Sequence, residues 1–275
     1  MASSCFSDVD EYGFERPHDF DYETYEDFMS EYLKVLAKMA KKWAKIIGEG
    51  KSLRSITIKK YVRKGIPGEH RGLVWLAVSG GEDMKTASPD LYQKLLLSPH
   101  NAETAEIIKT DLPRTFPDNI FFNNTENQQH QLYNVLLAFA HQNKTVGYCQ
   151  GLNYIAGLLL LVTKSEETAF WLLKVLIDKI LPDYYTCTMD GLLTDIDVLA
   201  ELVRIKMPDV YQHVTNVGLP WPVITTKWFV CLFAEVLPIE SIFKVPGSLP
   251  GSTIAKLRTK HMQQCIKRKQ DKLER

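Results

Sequence analysis

Ile108-Lys109-Thr110-Asp111-Leu112-Pro113-Arg114, followed through Leu132, Val135, Leu136, Phe139 and Ala140 by Tyr148-Cys149-Gln150-Gly151-Leu152-Asn153, is the stretch on which the fold turns. In its first segment an isoleucine, an aspartate and an arginine recur every third residue, which sets Ile108 and Asp111 on a shared side near a helix end. Pro113 brings no amide donor and disfavours helical geometry at Leu112, so the chain is expected to turn out there and project Arg114 from a loop. The middle positions recur at intervals of three and four and mark an amphipathic helix. In the last segment Gly147 and Gly151 permit a sharp turn that offers Tyr148, Cys149 and Gln150 at the mouth of a following helix. That helix contains the eight-residue apolar run Ile155 to Val162, too short to span a bilayer. The stretch reads helix, loop, helix, loop, helix.

The same periodicity extends outward. Phe28, Tyr32, Val35, Leu36, Met39, Trp43, Ile46 and Ile47 form an amphipathic helix stopped by Gly48 and Gly50. Leu73 to Leu76 sits in a helix ended by Gly80-Gly81, and Leu91 to Leu97 in another opened by Ser88-Pro89. Ala102 to about Leu112 is a third. Ser165, Glu166 and Glu167 supply a cap and charges suited to a helix start, opening Ala169 to Leu181, which Pro182 ends. Leu192 to Ile205, Pro208 to Thr215 and Pro222 to Leu237 complete the helices. No clean period-two strand and no internal repeat appears. An all-α fold is expected.

Composition sets bounds. A 275-residue chain with 45% hydrophobic and 24% charged residues suits a soluble domain with a sizeable core. Its formal net charge of zero argues against nucleic acid as the partner. The charge is nonetheless polarised. Asp8 to Glu31 holds ten acidic residues and one basic residue, Arg16, whereas Lys34 to Lys64 holds eleven basic residues against Glu49 alone. Such a basic stretch can touch an acidic membrane weakly and peripherally, although a solvated helix face is the simpler reading. Cys5, Cys149, Cys187, Cys231 and Cys265 are odd in number and scattered, which suits a reducing, cytoplasmic setting. The polar, acidic segment from Met1 to Asp10 does not read as a signal peptide.

The residues that carry chemistry are few. Gly50-Lys51-Ser52 resembles the end of a phosphate-binding loop, but Lys45 stands where its leading glycine belongs, so no nucleotide is expected on this chain. No histidines pair at ligand spacing, and neither a metal, a cofactor nor a hydrolase triad is expected. Arg114 offers a permanent charge and a fork of five donors, while Gln150 can orient a water by donating and accepting at once. Those two jobs are the ones a slow GTPase leaves undone. Each has a plainer reading. Arg114 can be a surface arginine in a salt bridge worth under about 1 kcal/mol, and Tyr148 and Cys149 can be core residues beside a turn. Gln150, fenced by glycines, has no evident packing reason to be there.

Taken together, the two segments resemble the TBC family, and further motifs extend the likeness over about Val62 to Glu240. Gly65-Ile66-Pro67 with Arg71-Gly72-Leu73-Val74-Trp75 is similar to the family's opening motif. There Arg71 and Trp75 lie one helical turn apart, can stack as cation and ring, and read as structural. Gly218-Leu219-Pro220-Trp221, Trp228-Phe229 and Leu232-Phe233 are similar to its later helix. The resemblance implies a two-lobed all-α domain that activates a Rab-type small GTPase in vesicle traffic rather than turning over a substrate of its own. It implies Arg114 and Gln150 as catalytic fingers, Ile108, Asp111, Tyr148 and Gly151 in support, and nucleotide and magnesium carried by the partner. The likeness breaks after Leu237-Pro238-Ile239-Glu240, where Lys244, Pro246 and Gly247 replace the family's continuation. The expected organisation is an acidic flexible leader over residues 1–25 and a basic amphipathic helix with linker over 26–61. A TBC domain over 62–240 follows, its C-terminal lobe incomplete, then a divergent basic tail over 241–275. A shortened domain of this kind leaves a second reading open, a scaffold that grips a GTPase without catalysis.

Overall fold

A computed structural model describes residues 8–50, 52–123, 126–234, 236–237, 258–259, 261–263 and 267. The described residues form helices and two isolated β-bridges, and the chain divides into two compact units, residues 1–142 with 156–175 and residues 143–155 with 176–275.

In the first unit, α1 (Tyr22–Gly48) begins where the Asp21 carboxylate accepts the Thr24 amide at 3.0 Å. Its apolar stripe is only half used. Trp43 and Ile46 are buried with Ile58, Ile66 and Val74, and the Trp43 indole donates to the Gly65 carbonyl at 3.0 Å. Phe28, stacked on Tyr32 at 5.4 Å, remains 57% exposed. Helix periodicity reports which residues share a face and not how far a partner surface reaches along it. Trp43→Ala is therefore expected to cost about 3 to 5 kcal/mol in denaturant unfolding, and Phe28→Ala no more than about 0.5. Comparable losses from both would show that the whole stripe is core.

Short helices appear that have no counterpart in the sequence reading. α2 (Ile56–Val62) is rich in β-branched residues, poor helix formers that tertiary burial of Ile58 overrides. α4 (Gly81–Ala87) follows α3 (Gly68–Ser79) at once, because Gly80 at φ +81° ends one helix and Gly81 starts the next. α5 (Leu91–Leu97), α6 (Ala102–Asp111), the single turn α7 (Ile120–Asn123), α8 (Glu126–Gln142) and α9 (Leu152–Thr163) follow. α10 (Glu166–Val175) opens as expected, with Ser165 Oγ accepting the Thr168 amide at 3.3 Å. It buries Ala169, Phe170, Trp171, Leu172, Leu173 and Val175, too many positions for a one-sided stripe. α3, α4 and α8 all pack on it. Glu166 accepts from the Tyr92 hydroxyl at 2.7 Å and the Asn134 amide at 3.1 Å, tying α5 and α8 to its first turn.

In the second unit, a π-helical turn (Leu176–Ile180) occupies the end of the helix expected to run to Leu181. Its mark is the Leu181 amide donating five residues back to Leu176. α11 (Asp190–Lys206) packs against α12 (Pro208–Val217) and α13 (Trp221–Val230). α13 stops seven residues before the expected Leu237, and Leu232 and Phe233 then take positive φ. Pro238, Ile239, Glu240, Lys244, Pro246 and Gly247 lie outside the described residues, as do Cys5, Lys51, Cys265 and most of the tail. Two of the described tail residues dock on α11: Arg258 Nε pairs with Asp195 at 2.7 Å, and Met262 meets the buried Thr194 hydroxyl at 3.8 Å. Among the described residues no helix is long and apolar enough to cross a membrane.

Part of the acidic leader takes a defined local structure. Asp10 Oδ1 accepts the amides of Tyr12 and Phe14 at 2.8 and 2.9 Å, and Val9 bridges Glu15, closing a small hairpin. Tyr12 is buried. Acidic composition signals poor burial on average, and it is blind to a few aromatic side chains that find a distant partner.

Candidate functional site

The arginine loop belongs to the first unit. Asn101 caps α6 by accepting the Thr104 amide at 2.9 Å, and Ile108 and Asp111 are both buried on one side near its end, as their spacing predicts. Pro113 does not push Leu112 out of helical geometry. Leu112 keeps φ −57° and ψ −52°, its amide still reaches the Ile108 carbonyl at 3.2 Å, and the chain departs one residue later. Preceding a proline raises the cost of the helical region without closing it.

Beyond the helix the loop is pinned from beneath. The Thr115 hydroxyl donates to the Asp111 carbonyl at 2.7 Å, and the Thr115 amide donates to the Leu112 carbonyl at 3.1 Å. Phe116 is buried at φ +51°, in edge contact with Phe14 at 5.2 Å and tilted against Phe122 at 5.8 Å. A side chain at Gly157 would crowd the Phe116 ring, so that glycine is a requirement of packing. Arg114 is the contrast, with its side chain 49% exposed while an Nη pairs with Oδ1 of Asp111, itself 2% exposed. The buried carboxylate holds one guanidinium nitrogen while about half of the side chain stays exposed.

The glutamine loop belongs to the second unit. Asn143 opens it, accepting the Val146 amide at 3.1 Å and donating to Asp178 at 3.0 Å. Gly147 and Gly151 both take positive φ, +60° and +105°. They differ in what surrounds them. Gly147 faces open space, whereas a side chain at Gly151 would collide with Val230 of α13. Gly151 is thus fixed by close approach as well as by its dihedral. Its amide donates to Oδ1 of Asn153, which is fully buried, and the Tyr185 hydroxyl donates to the Val230 carbonyl at 2.9 Å. Tyr148 and Cys149 are half-buried rather than core residues, and burial pushes the Cys149 thiol up. Gln150 is exposed at the turn directly before α9.

Arg71 and Trp75 serve elsewhere. Arg71 Nε donates to the Ile66 carbonyl at 3.0 Å and an Nη donates to the Tyr12 hydroxyl, with the Tyr12 ring 5.9 Å from the guanidinium. The leader therefore supplies an aromatic partner that local spacing could not reveal. Trp75 packs against the Trp43 cluster. Sequence reading also passed over Thr115, Phe116, Asn119 and Asn153. For the first three no local pattern announces burial. An asparagine entering a wholly apolar helix, as Asn153 does, is a signal that was there to use. Among the described residues no group of histidine, cysteine, aspartate or glutamate side chains could hold a metal ion.

The chain is similar to known proteins over most of its length. Residues 68–246 match the family model described as the Rab-GTPase-TBC domain. The chain is 51% identical over 240 residues to growth hormone-regulated TBC protein 1-A of Danio rerio, covering 86% of this chain and 67% of the relative. Against growth hormone-regulated TBC protein 1 of Homo sapiens it is 48% identical over 239 residues, covering 86% of this chain and 71% of the relative. Among solved structures, the Chlamydomonas flagellar RabGAP TBC domain superposes with a TM-score of 0.74 at 28% identity, over 90% of this chain and 83% of that one. The Ypt/Rab-GAP domain of Gyp1p, at 18% identity and a TM-score of 0.65 over 84% of each chain, shares the fold. With a family model spanning most of its helical body and relatives near half identity, this chain belongs to the Rab-GTPase-TBC domain family.

Proposed function

We propose that this chain is a GTPase-activating protein for a Rab-type GTPase in vesicle traffic, working through two residues supplied in trans. Arg114 neutralises charge developing around the transferred phosphoryl group, and Gln150 orients the attacking water in place of the partner's own glutamine. Nucleotide and magnesium belong to the partner. One observation carries the reading: Arg114 and Gln150 are exposed side chains on loops whose adjoining residues, Asp111, Thr115, Phe116, Gly151 and Asn153, are buried. Catalysis of phosphoryl transfer rests on positioning and on electrostatic stabilisation, and a rigidly held exposed donor supplies both. Membership in the family supports the class of partner.

The test is single-turnover GTP hydrolysis across a panel of Rab-type GTPases with this chain in excess. Acceleration of at least one member is expected. Binding to a GTP-loaded member without acceleration would overturn the catalytic reading and leave a gripping scaffold.

A further inference from the structure

We propose that the leader hairpin, residues 8–16, is a positioning strap for the Arg114 loop, with Phe14 and Tyr12 as its positioning residues. The inference rests on the reading of Arg114 as a finger, and adds the device that keeps the finger in place.

The hairpin is closed on itself. Asp10 binds the amides of Tyr12 and Phe14, and the Asp10 amide returns to the Phe14 carbonyl at 2.9 Å. Its tip, Tyr12-Gly13-Phe14, then grips two distant elements. Toward α3, the Tyr12 hydroxyl accepts from Arg71. Toward the segment that joins the finger loop to α7, the Ile120 amide donates to the Gly13 carbonyl at 2.9 Å as part of the Phe14–Asn119 bridge, and the Asn119 side-chain amide donates to the Tyr12 carbonyl at 2.9 Å. Gly13 sits at φ +88°, and a side chain there would run into the Phe121 ring, so the strap lies against α7, the helix that follows the loop, too closely for any side chain.

What the strap presses on is a strained residue. Phe116, two positions after Arg114, holds φ +51° with its ring buried. A non-glycine residue in that region is strained and persists where its surroundings over-determine it. Here the surroundings are Phe122, the Gly157 notch of α9, and Phe14 standing edge-on at 88°. Removing Phe14 takes away one wall of that enclosure, and Phe116 can relax toward negative φ. The backbone of Arg114 moves with it. A displacement near 1 Å is enough to cost about 100-fold in a positioned reaction.

The strap acts on placement and not on contact with the GTPase, so the two kinetic parameters separate. Full-length chain, Phe14→Ala, Phe14→Leu and Tyr12→Phe are compared in single-turnover hydrolysis against a GTP-loaded Rab-type GTPase, with hydrogen exchange read at the Ile120 amide. Phe14→Ala is expected to lower the maximal rate roughly 10- to 100-fold at an unchanged half-saturating concentration. Exchange at Ile120 should quicken while the melting temperature stays within a few degrees. Phe14→Leu, which keeps apolar bulk against Phe116, should restore most of the rate, and Tyr12→Phe should fall between the two. A wild-type maximal rate with unchanged Ile120 exchange in Phe14→Ala would overturn the proposal. So would a loss of rate matched by a loss of melting temperature and of binding, which marks a merely structural residue. If the wild-type chain accelerates no GTPase, the functional reading falls, and Ile120 exchange alone decides whether the strap orders the loop.

Discussion

Arg114→Ala is expected to remove about 10³ to 10⁵ of the stimulated hydrolysis rate, roughly 4 to 7 kcal/mol of transition-state stabilisation. The size follows from the chemistry of the step. The transferred phosphoryl group spreads charge over its equatorial oxygens, and a planar guanidinium can meet two of them at once where an ammonium meets one. Anchoring a nitrogen to Asp111 does not consume a group with five donors, and it fixes where the fork points. The same ion pair complicates the alanine variant, because it deprives a buried carboxylate of that partner, a cost of about 1 to 3 kcal/mol. Arg114→Lys separates the effects. It keeps a positive charge beside Asp111, so the melting temperature should hold, yet it loses the fork and should be nearly as inactive as alanine. Single-turnover hydrolysis and thermal unfolding on the same preparations check both. A lysine variant with most of the wild-type rate would reduce Arg114 to a point charge, and a fully active alanine variant would remove it from the mechanism.

Local chemistry made α5, α6, α9, α11 and α12 legible to within a few residues, because each joins a helical apolar pattern to a proline or glycine at one end or both. It also placed Arg114 and Gln150 on loops and Ile108 and Asp111 on a shared side, which the structure buries. What it missed depends on pairs far apart in the chain. Arg71 meets Tyr12 across 59 positions, and Asn119 meets Tyr12 across 107. No window of sequence contains either pair, so an acidic segment with Gly13 and Pro17 read as flexible. In the structure Gly13 is instead where the strap touches Phe121 too closely for any side chain. α2 escaped for a related reason, since the burial of Ile58 beside Trp43 outweighs its weak propensity. The early end of α13 is a third case. Leu232 and Phe233 leave the helix at positive φ although the apolar pattern continues, and periodicity has no term for that.

Gln150→Ala is expected to lower stimulated hydrolysis by about 10² to 10³, the usual effect of deleting one preorganised donor at a reacting centre. Gln150 is exposed, so its loss should change unfolding free energy by no more than about 0.5 kcal/mol, and reduced activity would not reflect a damaged fold. The decisive comparison varies the partner as well. If Gln150 aligns the water, the wild-type chain should still accelerate a GTPase whose own catalytic glutamine is replaced by alanine, and Gln150→Ala should fail on both partner forms. Two conservative variants refine the geometry. Gln150→Glu keeps the length but cannot donate when ionised and sets a negative charge toward a phosphate, so it should be no better than alanine. Gln150→Asn keeps donor and acceptor but withdraws them by one methylene, and should recover only part of the rate if reach matters. The loop gives a reason to expect that it does: Gly151 is seated against Val230, whose carbonyl is held by Tyr185, so the backbone has little freedom to make up the lost length. Should the partner's glutamine prove indispensable while Gln150→Ala stays active, Gln150 is a turn residue, and the water is positioned by the GTPase itself.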